Sequence, residues 1–505
     1  MGGRASLVVI AIAAGLAFGG CAVGPNFQRP RAPDVAGYTP EPLAAATASA
    51  QTRGGEPQRF IRDLDIPGQW WTLFRSEALN RLIEQALQDN PDFDAAQAAL
   101  RHANENVYAQ EGALLPSVSA SIQPERERLA GAIIGEPQFT PTFSVVTASL
   151  NVAYAPDVFG GTRRQIESLA AQAEYQRFQL EATYLTLTSN LVVAAVQEAS
   201  LRGQITATEQ ILKIESNELD LVRQRFRVGV VSQAEVLLQE ATLDQTRTTL
   251  PPLQKQLAQV RNQLTALAGR LPSQEVSETF DLDSLRLPQD LPVSLPSQLV
   301  EQRPDVREAE AQLHAASADV GIAIANQLPQ FTITGAIGMT ATGFATLPGT
   351  GVWSIAGSAA QTLFDAGTLL HKKRAAVAAF DQAAAQYRST VIKAFQNVSD
   401  ALRALQSDAD ALVAQDAAER SALASLELAR RQFHADTIDH LTVLIAERTW
   451  QQARINRVQA EGNRFADTAA LFQALGGGWW HRTDAKQKGD GASQPTTPVG
   501  STTQH

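Results

Sequence analysis

A single cysteine, Cys21, stands in 505 residues, so the chain can form no intrachain disulfide. Runs of about 18 apolar residues are also missing, which excludes a helical membrane span. There is no basic block, and the net charge of -10 speaks against a nucleic-acid partner. The 7 histidines are scattered, with His434 and His440 the one close pair. No HExxH, GxSxG or GxxxxGKS/T occurs, so no metal set, nucleophile elbow or phosphate loop is legible, and neither an enzyme nor a cofactor is expected. His434 and His440 with Asp436 and Asp439 can be read as a metal cluster or as the polar residues of an exposed turn; the turn is the simpler reading. Proline is absent from Gly161 to about Arg227 and again from Gly367 to about His434. Each stretch predicts a helix of roughly 67 residues, about 100 Å long.

What is present is a duplication. LVRQRFRVGVVSQAEVLLQEA from Leu221 to Ala241 returns as LARRQFHADTIDHLTVLIAER from Leu428 to Arg448, with Leu221, Arg223, Phe226, Val236, Leu237 and Glu240 recurring as Leu428, Arg430, Phe433, Val443, Leu444 and Glu447. Around Pro91 and Pro304, and around Pro116 and Pro329, the same two copies are visible. A unit of about 180 residues is far longer than a solenoid repeat and reads as tandem duplication of one architecture. Each copy of the first motif predicts a helix, a short break and a second helix. In copy one the break holds Gly229, suited to the positive φ that ends a helix; in copy two Asp436 stands there.

The expected organisation is a signal peptide over 1–20, an N-terminus and extended tether over 21–61, a first repeat over 62–270, a connector over 271–295, a second repeat over 296–480 and a disordered tail over 481–505. The first repeat is expected to hold a hairpin at about 117–155, a long helix at about 161–227 and a helix at about 231–269. The second should hold a hairpin at about 330–363, a long helix at about 367–434 and a helix at about 437–475. Arg4, the apolar run Leu7–Phe18 and the sequence FGGC favour an export signal over an anchor. FGGC resembles a lipoprotein signal site, which implies lipidation at Cys21.

Four segments depart from helical periodicity. SVSASIQ and FSVVTASLNVAY alternate apolar and polar residues with period two, QFTITGAIGMT does so as well, and GVWSIAGSAAQ does so more weakly. Val146, Ala148, Leu150, Val152 and Tyr154 define one face, and Thr147, Ser149 and Asn151 the other. Strands of about ten residues cross a bilayer when tilted. Two hairpins cannot close on themselves, so a membrane reading requires neighbouring subunits, in a dimer, trimer or tetramer; the alternative is a small soluble sheet capping a coiled coil. A seam of Val391, Phe395, Val398, Leu402, Leu405, Ala409 and Leu412 marks the second long helix as coiled coil.

CAVGPNFQRP at Cys21, WWTLF at Trp70, DNPDFDAA, QRPDVREAEAQLHAASADVGIA from Gln302, LFDAG at Leu363 and LFQALGGGW from Leu471 occur in an order that resembles the TolC family of outer membrane efflux proteins, in its OprM/NodT-like lipoprotein branch. The resemblance spans nearly the whole chain. It implies a mainly α fold with a membrane β-barrel: a homotrimer sharing one 12-stranded β-barrel and a long periplasmic α-helical barrel. It further implies an outer membrane conduit working with a periplasmic adaptor and an inner-membrane pump, often of the resistance-nodulation-division type. A type I secretion exit duct of the same fold, or a soluble coiled-coil scaffold, are the alternatives. Adaptor contacts are expected at the tips, around Arg227, Gly229, Ser232 and Asp436. In the family, lumen-facing acidic residues follow the second break, but here Thr442 and Ile445 stand where carboxylates are common. The candidate periplasmic gate is therefore Asp436, Asp439, Leu441 and Ile445. Either the two aspartates supply a negative ring and the apolar pair a constriction, or an aspartate merely caps the helix.

Overall fold

The computed structural model describes residues 22–128, 140, 142–435 and 437–482. Cys21, the signal segment before it, Asp436 and the tail after 482 lie outside the described residues. The chain divides into two compact units, each assembled from three segments.

The first unit takes in the segment up to Pro30, Ala98–Arg177 and Glu308–Ser389. Its centre is an antiparallel sheet of β2 (Ser117–Arg128), β3 (Thr142–Tyr154), β5 (Gln330–Ala341) and β6 (Thr350–Ala360), in that order. The register places like opposite like. Ala120 faces Leu150, Leu150 faces Ile337 and Ile337 faces Trp353, while Ser121 faces Ser149. One face is thus apolar over all four strands, with Trp353 78% exposed; on the other, Asn151 donates to the hydroxyls of Ser121 (3.1 Å) and Ser149 (3.2 Å). Period-two patterning in four separate segments yields one coherent face because each pairing keeps the parity of the last. Pro124 sits in β2, an edge strand of this sheet, the kind of strand that tolerates proline.

Where strands end, long helices begin. Helix α3 (Gly161–Arg227) is capped by Asp157, which accepts from the amides of Thr162 (2.9 Å) and Arg163 (3.0 Å). Helix α8 (Thr368–His434) is capped by Asp365 from LFDAG, which accepts from Gly367 (2.9 Å) and Leu369 (2.7 Å). Against the start of α3 lies the AVGPNF motif. Arg164, buried, donates to the Val23 carbonyl (3.1 Å), Asn26 (2.7 Å) and Glu167 (2.6 Å). Gly24, at φ +95°, meets Gly321 of helix α7 (Pro304–Ala325) so closely that a Cβ would lie 2.5 Å from the Gly321 Cα. Only glycine satisfies both the backbone angle and the approach.

The second unit comprises Arg31–Gln97, Phe178–Arg307 and the segment from Thr390 onward. WWTLF forms a short 3-10 turn, Trp70–Phe74, whose Trp70, Trp71 and Phe74 are buried; Trp70 stacks on Phe472 at 5.3 Å. The tether is tied down by Arg464 of α9 (His440–Ala474), fully buried, which donates to Thr47 (2.9 Å), Glu56 O (2.7 Å) and Gly54 O. Strand β1 (Arg59–Arg62) pairs parallel with β4 (Asp290–Val293) of the connector. The α8 seam is buried at Val391, Val398, Leu402, Leu405, Ala409 and Leu412, and half-buried Phe395 lies 5.5 Å from the Tyr38 ring of the tether.

Helix α1 (Glu77–Asp89) precedes α2 (Pro91–Glu111), and α6 (Pro296–Gln302) precedes α7, each pair parted by a proline. The residue before that proline reaches the end of another helix in both copies. Asn90 donates to Leu267 O at 2.9 Å, and Arg303 donates to Ala474 O at 2.9 Å. The helix expected at about 231–269 is two, α4 (Gln233–Arg247) and α5 (Leu250–Leu267). Pro251 and Pro252 lack the N–H groups an unbroken helix would use, and are tolerated in the first turn of a new one.

Candidate functional site at the helix-hairpin tips

Two hairpins, α3–α4 and α8–α9, end in tips within the second unit. At the first, Val230 N donates to Arg225 O (2.9 Å) and Gly229 takes φ +79°, so the last carbonyls of α3 are satisfied by a left-handed reversal. Ser232 then opens α4 with a capping box: its hydroxyl accepts from Glu235 N (3.4 Å), and the Glu235 carboxylate accepts from Ser232 N (3.1 Å). Arg227, Val228 and Val230 are exposed there.

At the second tip Thr437 N donates to Gln432 O at 3.0 Å, as Val230 N does to Arg225 O at the first. Asp439 caps α9, accepting from Thr442 N (3.0 Å) and from the Thr442 hydroxyl. Those two hydrogen bonds hold its carboxyl below the usual carboxylate range. Leu441 and Ile445 are one turn apart on the same face of α9, 48% and 59% exposed, while Val443 and Leu444 face inward. His440 is buried with its ring 5.1 Å from Phe433, whereas His434 and Asp439 are exposed. Among the described residues His434, Asp439 and His440 form no group that could hold a metal ion, and Asp436 lies outside them.

Below the tips lies a feature that motif reading did not assign. Arg223 and Glu240 form an ion pair of 2.7 Å across the first hairpin, and their counterparts Arg430 and Glu447 form one of 2.7 Å across the second. The duplication therefore repeats a contact, not only a sequence. The second pair is different in kind: Glu447 is 2% exposed, and Arg430 also reaches Glu218 of α3 at 2.8 Å, joining the two hairpins. Glu215, one turn earlier, is buried and accepts from Thr246 (3.0 Å) and Gln451. Burial, and then the neighbouring Glu218 carboxylate, push Glu447 up to about 8 against the pull of Arg430. Burial likewise raises Glu215 and lowers His440. An apolar cluster of Ile211, Leu426, Val443 and Trp450 encloses the same region. The recurrence of Arg and Glu in both copies marks the four positions of this latch but not their pairing.

The outer membrane efflux protein family matches residues 82–270 and 295–477, which takes in both copies. The pyoverdine export outer membrane protein OpmQ of Pseudomonas putida is 30% identical over 421 residues, covering 82% of this chain and 89% of its own. The probable efflux pump outer membrane protein TtgC of the same species is 28% identical, covering 95% of this chain and 96% of its own. Among solved structures, the outer-membrane channel OprN aligns with a TM-score of 0.82 at 27% identity, over 91% of this chain and 100% of that one. Since one family spans both copies, and relatives run nearly the full length of the chain, with a solved channel that shares its fold, the chain belongs to the outer membrane efflux protein family and is an outer membrane efflux channel.

Proposed function

We propose that three copies of the chain share one 12-stranded barrel in the outer membrane and one α-helical tube through the periplasm, forming the exit duct for small molecules in a tripartite efflux assembly. The observation that carries this reading is the sheet. Its face is apolar across four strands, and its edges, β2 and β6, have no further strand partner among the described residues. In lipid each unpaired edge group costs several kcal/mol, so edges must be satisfied by neighbouring copies. Native mass spectrometry of the purified protein is expected to give three chains; a monomer or dimer that still conducts overturns the proposal.

The partners proposed are a periplasmic adaptor and an inner-membrane pump of the resistance-nodulation-division type. Exposed Val228 and Val230 beside Arg227, Gly229 and Ser232 support an adaptor contact at the first tip, with Asp436 at the second. Anchorage by a lipid on Cys21 is supported by the residue that follows it. Ala22 packs on Gly160, where a Cβ would lie 2.5 Å from the Ala22 Cα, and Val23 N donates to Phe159 O at 3.1 Å. The chain is thus held where β3 gives way to α3, at the end of the apolar face. Mass spectrometry of the mature protein should find Cys21 first and acylated; an unmodified Cys21 or another start refutes anchorage without touching the barrel.

For the gate, the proposed constriction combines Leu441 and Ile445 with the charges of Asp436 and Asp439, opened when the adaptor draws the second hairpin outward. Asp439 caps α9, so its charge must be removed without its hydrogen bond. Asparagine caps as well as aspartate. Asp436→Asn with Asp439→Asn should lower the cation selectivity of the reconstituted channel while closure persists, and Ile445→Ala should raise its leak. Unchanged selectivity sinks the acidic half, and unchanged leak sinks the apolar half.

A further inference from the structure

The outer end of β2 departs from the pattern of the rest of the sheet. Val118, Ala120 and Ile122 lie on the apolar face, and the same parity carries on through Pro124 to Arg126 and Arg128; the opposite parity, Ser117 to Gln123, carries on to Glu125 and Glu127. The four charges ERER are therefore sorted by sign, the two arginines continuing the apolar face and the two glutamates the polar one. Facing Arg126 and Arg128 across the ladder are Ser144 and Thr142. All of these residues are exposed, and among the described residues neither arginine forms an ion pair with a carboxylate; Arg128 has only a long hydrogen bond, 3.4 Å, to Thr140.

Their height on the sheet is also specific. Pairing of β5 with β6 ends at Thr340–Thr350 and that of β3 with β5 at Val146–Ala341, opposite Pro124, so the arginines occupy the β2–β3 ribbon beyond both. From Tyr154, at the helix end of β3, to Ser144, opposite Arg126, ten steps of about 3.3 Å at a tilt of about 40° rise roughly 25 Å, the height of an outer-membrane apolar band. A cation on the lipid-facing surface is costly at mid-depth and tolerated at the interface, where its guanidinium can take a phosphate in bidentate fashion.

Resting on the barrel reading proposed above, we propose that Arg126 and Arg128, with the hydroxyls of Thr142 and Ser144, form a binding surface for the phosphate of an outer-leaflet phosphoglycolipid. Three such pairs would ring the barrel at the level of the headgroups. The occupant is a phosphorylated lipid, because the surface is continuous with the apolar face and two guanidiniums project from it without an acidic partner among the described residues.

The test uses the full-length protein in detergent, titrated with phosphorylated lipid A and read by native mass spectrometry, alongside bilayer conductance. Arg126→Gln with Arg128→Gln is expected to weaken lipid A binding by roughly tenfold or more, with conductance retained. Glu125→Gln with Glu127→Gln should leave binding unchanged. Dephosphorylated lipid A should bind the wild type no better than it binds the arginine variant, and inorganic phosphate at equal concentration should not displace the lipid. Lipid binding that is equal in wild type and arginine variant, equal loss in both double variants, or displacement by inorganic phosphate overturns the inference while the conducting channel keeps the barrel reading intact. A wild type that neither inserts nor conducts overturns both.

Discussion

Leu150→Arg is expected to abolish assembly of the channel in the outer membrane, whereas Asn151→Arg, one residue on, is expected to leave it standing. Leu150 lies at the middle of the apolar face, between Ala120 on β2 and Ile337 on β5, and is 50% exposed in the single chain. An arginine at bilayer mid-depth costs about 2–4 kcal/mol per copy, and in the proposed trimer three copies would bear it at once. Asn151 sits in the polar network with Ser121 and Ser149, where an added cation remains in water. The amount of trimer in the outer membrane fraction, measured on semi-native gels, decides the point. Equal damage from both substitutions would mean that the two faces are assigned wrongly.

The second large effect lies at the tips. Arg430→Ala should loosen the join between the two hairpins by about 1.5–3 kcal/mol, because it removes the charged donor that Glu218 and Glu447 share. Faster hydrogen exchange at the ends of α3, α8 and the start of α9, and a higher leak in bilayers, would report it. Arg223→Ala, whose pair with Glu240 is exposed, is expected to change little, as surface ion pairs do. Exchange rates that rise equally in the two variants would contradict the latch.

The same latch should be pH-dependent, with a definite sign. The folded-state pKa of Glu447, about 8, stands above the ordinary value of 4.5, so the folded tip binds the extra proton. Its stabilising effect is complete below about pH 4.5 and is lost as the pH rises to about 8, at up to about 1.4 kcal/mol per pH unit. Glu215 acts in the same direction. Buried His440 acts in the other, since its lowered pKa makes acidification costly; Arg225, Asp439 and Glu235 also bear on it. Glu447→Gln isolates the one term: the difference in tip protection between wild type and variant should fall between about pH 5 and pH 8 and be flat above. A flat difference over that whole window would show that Glu447 holds no such proton.

Much of this molecule was determined by local sequence. Sixty-odd residues without proline or a turn signal have no alternative to helix, because each backbone amide finds its partner four residues back. Period-two alternation assigned Leu150 and Asn151 to opposite faces before any strand was paired, since successive side chains in a strand must point apart. The split of the helix expected at about 231–269 into α4 and α5 was not read from the sequence, although Pro251 and Pro252, whose missing amides end one helix and suit the start of another, carry its signal. Other features required the folded chain. Arg223, Glu240, Arg430 and Glu447 recur in both copies, yet nothing in the recurrence says that they pair, or that one pair is exposed while the other is sealed with Glu218 added. Whether Asp439 is a cap or a free charge was equally open until its oxygen was placed on the Thr442 amide. Sequence periodicity records which way a side chain faces on its own element. Which distant carboxylate meets it, and how much water remains between them, depends on how α3, α8 and α9 pack, and only the tertiary structure decided that.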